Sequence, residues 1–156
     1  MLILIILLGL SAAIVIPSMK NTGSLRVQGA LRMIVADLAL AQSDAVAFQQ
    51  GRAIVFNYQG DPARYAVATV VGNSIDTTAG GLIAERKFGG SKFGFATLSN
   101  STVGSDTVIF DALGGPIDAA GSTNPAPAGY LEVSGSGQTY RINVEAYTGR
   151  VTIQRM

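Results

Sequence analysis

The stretch SLRVQGALRMIVADLALAQSDAVAFQQGRAIVFNY, residues 24–58, changes its period partway along. From Ser24 to Gln50 the apolar positions Val27, Leu31, Ile34, Leu38, Ala41, Ala45 and Phe48 alternate steps of four and three, which is the stripe of an amphipathic helix. That stripe is expected to dock on a sheet of the same chain. Ser24 suits the N-cap and Gly51 a left-handed C-cap. After Gly51 the period falls to 2. Ile54, Phe56 and Tyr58 alternate with Val55 and Asn57, and Tyr65, Val67, Thr69 and Val71 follow the turn Gly60-Asp61-Pro62, which predicts a hairpin.

Further short strands are expected at Leu82 to Phe88, Phe93 to Leu98, Thr107 to Phe110, Tyr130 to Val133, Tyr140 to Glu145 and Val151 to Arg155. Clusters of Gly, Asn, Ser and Pro separate them. The segment GGPIDAAGSTNPAPAG, residues 114–129, has few large apolar residues and is expected to form an exposed loop. The architecture is therefore α+β, a long N-terminal helix packed on a C-terminal antiparallel sheet domain.

On the other side of Ser24, the run MLILIILLGLSAAIVI, residues 1–16, carries no charge. As a helix it would be roughly 24 Å long, short of the roughly 30 Å hydrocarbon core of a bilayer. No basic residue precedes it, as a signal peptide would require, and the first positive charge is Lys20. Lys20, Arg26 and Arg32, taken by the positive-inside rule, would face the cytoplasm. Pro17 and Asn21-Thr22-Gly23 predict a kink or an unwound stretch, with two separate helices as the alternative. The division is then an apolar segment over 1–23 and a globular domain over 24–156, helical to 50 and β-rich from 51.

Composition narrows the chemistry. The 156 residues are 48% hydrophobic and 13% charged, enough for one packed domain. The chain has no histidine and no cysteine. Ser-His-Asp and Cys-His sites, zinc sites of the usual ligand type, disulfides and thiol redox chemistry are excluded. We expect no enzyme, no cofactor and no metal centre. A net charge of +1 supplies no general field for a polyanion.

Three local motifs follow the apolar helix that ends in Ile16-Pro17-Ser18. Ala41-Gln42-Ser43-Asp44-Ala45-Val46 precedes Gly51-Arg52 and a strand; Phe110-Asp111-Ala112-Leu113-Gly114-Gly115-Pro116 forms a turn; YRINVEAYTGRV, Tyr140 to Val151, ends in T-G-R-V. In this order they resemble the type IV pilin-like and pseudopilin proteins of the general secretion pathway protein H / FimT group. The resemblance spans essentially the whole chain. It implies a pilin-like fold and a structural subunit of a type IV pilus or type II secretion filament. Leu2, Ile3, Leu4, Ile5, Ile6, Leu7, Leu8, Leu10, Ile14, Ile16 and Pro17 would form the membrane segment and then the filament core.

The same resemblance implies partners and a route. A single-pass precursor in the cytoplasmic membrane, β-domain outside, would be cut by a prepilin peptidase. An inner-membrane assembly platform would then extract it into a periplasmic or cell-surface filament of like or related pilins. The family glutamate that pairs with a neighbour's α-amino group would fall immediately before Met1, so the sequence is expected to begin just after it, with a true subunit lacking the glutamate as the alternative. Restoring about five residues would lengthen the apolar helix to roughly 31 Å, and a basic leader would resolve the topology conflict.

Rival readings fare poorly by residue. In Gly89-Gly90-Ser91-Lys92-Phe93-Gly94 a phosphate loop would need Lys and Ser/Thr where Phe95 and Ala96 stand. Asp106, Asp111 and Asp118 lack calcium-loop spacing and suit turns, and Arg86, Lys87 and Lys92 suit a solvated hairpin edge. Some FimT-like minor pilins take up DNA through a G-R-x-R pair. Here Gly149-Arg150-Val151-Thr152 has threonine at the second place, and Arg150 and Arg155, the candidate DNA contacts, are separated by five and point to opposite faces of a strand. A non-filament, membrane-anchored periplasmic protein is the remaining alternative.

Overall fold

In a computed structural model, the backbone of residues 2–156 and the side chains of residues 23–156 are described. Helix α1, Leu2–Phe48, leads into ten strands. The side chains from Leu2 to Thr22 lie outside the described residues, while the backbone of α1 runs as one helix through Pro17 and Asn21-Thr22-Gly23, with neither the expected unwound stretch nor the alternative of two separate helices. Among residues 23–156 no helix is long and apolar enough to cross a membrane.

The helix ends differently from the expectation. Gln49, with φ 52°, takes the left-handed conformation, and the Gln50 N–H reaches back to the Ala45 carbonyl at 3.1 Å. This pattern satisfies the last carbonyls of the helix. Gly51 is not the left-handed cap. Its lack of a side chain serves a close approach instead, because a Cβ there would sit 3.0 Å from Val70 Cβ and 3.2 Å from the Phe110 carbonyl. Ser24 is not an N-cap either, since it lies inside α1 with its hydroxyl 3.2 Å from the Tyr140 hydroxyl.

Strands β1, Arg52–Phe56, and β2, Arg64–Val71, form the hairpin expected from the period of 2, in register from Arg52↔Thr69 to Phe56↔Tyr65. Two strands share the far edge of β2: β3, Ser74–Asp76, beside its end and β4, Leu82–Lys87, beside its start. Strand β5, Thr97–Ser101, belongs to a second sheet, while β6, Thr107–Phe110, and β7, Pro116–Ile117, extend the first beyond β1. The second sheet is completed by β8, Gly129–Gly135, β9, Gln138–Val144, and β10, Val151–Arg155, in the antiparallel order β10-β9-β8-β5.

Both sheets turn one face to α1. Val27, Leu31, Ile34, Leu38, Ala41 and Ala45 are each at most 1% exposed, and they pack with Ile54, Phe56, Tyr65 and Phe110 of one sheet and Leu131, Val133 and Ile142 of the other. Period-2 alternation accounts for the second sheet, where Tyr140, Ile142 and Val144 face in and Arg141 and Asn143 do not. Phe48 departs from the stripe. It is 67% exposed because the chain leaves the helix there and β1 returns after only three residues, so the last turn overhangs the sheet. Its ring instead covers the Arg52 guanidinium, 5.4 Å from the centroid.

Two expectations for the β-region need correction. Phe93 to Leu98 is not one strand: Ser91–Phe93 forms a 3-10 turn that rests Phe93 near Gly29 of α1, and β5 begins only at Thr97. Gly94 at φ 65° permits that turn. The segment 114–129 is not wholly an exposed loop. Its Ile117 joins Ala53, Val70 and Ile109 in a second, smaller core on the back of the first sheet.

Candidate assembly surface and its support

The three motif segments meet at the C-terminal end of α1. Gln42 donates from Nε2 to the Gly114 carbonyl at 2.7 Å and to the Thr148 carbonyl at 2.9 Å, tying the helix to the Asp111–Gly115 turn and to the β9–β10 hairpin. Asp111 has the turn role expected of it, since its Oδ1 accepts the Leu113 and Gly115 N–H groups at 2.9 and 2.8 Å. Gly149, at φ 64°, is required twice over, because a Cβ there would lie 2.9 Å from the Phe110 ring. Around this knot is a cleft of about 570 Å³, bordered by Gln42, Asp111, Leu113 and Tyr147. Leu113 and Tyr147 are 82% and 75% exposed, and Tyr147 is held at φ 62°. Gln42→Ala should lower stability by about 1–3 kcal/mol, two part-exposed bonds at roughly 0.5–1.5 kcal/mol each, measured by urea unfolding of the parent and variant.

A second tie lies inside the domain. Asp37, 8% exposed, accepts the Tyr65 hydroxyl at 2.7 Å and Arg86 Nε at 3.2 Å, joining α1 to β2 and β4. Burial above all, and then donation to the Asp37 carboxylate, pushes the Tyr65 hydroxyl well above the usual tyrosine range. Arg86 therefore does not belong to a solvated basic cluster with Lys87 and Lys92. Lys87 approaches Asp61 at 3.7 Å, and Lys92 lies over the Phe93 ring. Sequence reasoning passed over Asp37, whose only signal was a carboxylate beside the apolar stripe.

The two arginines weighed as DNA contacts are kept apart. Arg150 is paired with Glu145, Nη2 to Oε1 at 2.6 Å. Arg155 stands opposite Tyr140 in the β9–β10 register, on the face that Val151 and Ile153 share. Among the described residues no group of three acidic, histidine or cysteine side chains could hold a metal ion.

One long N-terminal helix gripped by antiparallel sheets defines a pilin-like α+β fold. Two crystal forms of the type IV minor pilin FimU of Pseudomonas aeruginosa are similar to it, with TM-scores of 0.62 and 0.58 and 15% sequence identity in each. The similarity covers 86% and 81% of this chain and 92% and 91% of those chains. No protein-family profile matches the chain, and no curated protein matches it.

Proposed function

We propose that this chain is a structural subunit of a type IV pilus-like or type II secretion filament. The observation that supports this reading best is the continuity of α1. The helix whose Val27–Ala45 stripe is held between two sheets is one element from Leu2, so the apolar sequence Leu2–Ile16 belongs to the element that the domain grips. A helix of that kind gives neighbours an apolar surface to pack on while its own domain stays folded. The likeness of fold to a minor pilin and the order of the three motifs agree with it.

On this reading the apolar segment first sits in the cytoplasmic membrane and then exchanges lipid for the helices of other copies or related pilins. A prepilin peptidase and an inner-membrane assembly platform are the implied partners. The work of the chain is packing, not catalysis. Engagement of Arg150 by Glu145 argues against a DNA-binding pair at the C-terminal strand.

The test separates filament packing from simple anchoring. Leu7→Ala with Leu10→Ala keeps the segment apolar but removes several methylenes per subunit from the core. Recovery of the doubly substituted chain in sheared filaments, detected immunologically beside a co-expressed major pilin, should fall severalfold while its membrane association persists. Equal recovery of variant and parent would overturn the reading, as would absence of the parent from every filament fraction.

A further inference from the structure

The charges of the described residues sort by end. Ion pairs engage Arg64 with Asp61 and Glu85, Arg86 with Asp37, Lys87 with Asp61, Arg141 with Glu132 and Arg150 with Glu145. Among the described bases outside these pairs, Arg52 is buried, and Arg26, Arg32, Lys92 and Arg155 are exposed. All four exposed bases gather at the end of the domain nearest Gly23. Arg26 and Arg32 lie on that part of α1, and Arg26 donates to the Ser91 carbonyl beside Lys92. Arg155 lies opposite Tyr140, whose hydroxyl meets Ser24 and Gln28.

The acids outside the pairs gather at the other end, with Asp106 between. Asp44 lies in the last turns of α1, and Asp111 in the turn that Gln42 holds. Asp76 stands opposite Thr69, which neighbours Arg52 at the start of β1. Asp118 opens the loop whose Gly121 packs on Asn73 in the β2–β3 turn. Arg32 and Asp44 are separated by about 18 Å of helix, and Arg26 and Asp44 by about 27 Å, at 1.5 Å per residue. Both spans exceed the Debye length of roughly 8 Å at physiological salt, so the two ends act as separate poles.

Each pole also exposes large apolar side chains. Leu25, Phe95 and Met156 are 66%, 69% and 59% exposed at or near the basic end, and Phe48, Leu113 and Tyr147 are 67%, 82% and 75% exposed at the acidic end. Apolar anchors within a charged rim are what a protein interface presents, and the sign of the rim selects which surfaces meet. Two basic ends repel, as do two acidic ends. We propose that the basic pole of one copy docks on the acidic pole of a second copy of this chain, head to tail. The proposal rests on the filament-subunit reading and adds its contact outside the helix core. A head-to-tail contact uses two different patches and so does not close on itself unless the rotation forms a ring.

Because the chain has no cysteine, the contact can be read by cross-linking. Full-length chain carrying Ser91→Cys at the basic pole and Ala47→Cys at the acidic pole, treated in filaments with a short bismaleimide, should give a ladder of three or more subunits. Neither single substitution should give a product. A product that stops at the dimer would overturn the proposal, because an antiparallel pair uses both contacts and closes. Reversal of one pole, by Arg26→Glu, Arg32→Glu and Lys92→Glu together or by Asp44→Lys, Asp76→Lys and Asp118→Lys together, should each cut the cross-linked yield about tenfold. Mixing the two reversed chains should restore it, since one is then acidic at both ends and the other basic at both. An effect of the basic reversal alone, or no recovery on mixing, would overturn the docking. Filaments that contain the chain but no cross-link between poles would overturn the docking and leave the filament reading intact; absence of the chain from filaments would overturn that reading instead.

Discussion

Ile34→Asp should prevent the domain from folding. Ile34 is fully buried in the centre of the α1 stripe, between residues of both sheets. Losing its side chain costs about 2–5 kcal/mol, and a carboxylate without a partner in its place adds a desolvation penalty of several more. Folded domains have a total stability of only about 5–15 kcal/mol. The expected result is loss of the cooperative unfolding transition followed by circular dichroism, with Ile34→Val, costing about 1 kcal/mol, as the control that keeps it. A cooperative transition in Ile34→Asp near that of the parent would mean that α1 is not held as described.

The second large effect belongs to Asp37. Asp37→Ala leaves the Tyr65 hydroxyl buried without its acceptor, which costs about 1–3 kcal/mol. Arg86 contributes less, because its side chain is 45% exposed and can turn to water. A loss near 2 kcal/mol is expected, and Tyr65→Phe in the same chain should recover part of it by removing the orphaned hydroxyl. Additive losses in the double variant would show that the two groups are not coupled. Alkaline pH offers an independent check. The folded state raises the Tyr65 pKa above its unfolded value, so this contribution is fully present below about pH 10 and is lost as pH rises beyond it. Chemical denaturation across that range should show a smaller alkaline loss in Tyr65→Phe than in the parent.

The elements that could be read along the chain are those whose signal is local. A stripe at steps of four and three and an alternation of two lie within single elements, and they located α1 from Ser24 onward, the β1–β2 hairpin and the limits of β6 and β10. The same signals misplaced β5, because Phe93 is drawn to α1 by a glycine-permitted turn that no period announces. Ile117 was missed for the opposite reason. One apolar residue in a run of Gly, Ala, Ser and Pro has no period at all, and it matters only because the back of the first sheet lies beneath it.

The candidate surface divides in the same way. The sequence by itself determined that a helix with one greasy face would seek a sheet, that three motifs stood in a recognisable order, and that no thiol or imidazole chemistry was available. It could not say that those motifs meet, because Gln42 reaches carbonyls 72 and 106 residues away. Nor could it pair Asp37 with Tyr65 and Arg86, at separations of 28 and 49 residues, or part the charges into two poles. Periodicity reports which side of one element is buried, a property of neighbouring residues. Which side chains share a hydrogen bond or an end of the molecule depends on how distant elements stack, and only the tertiary structure decided that.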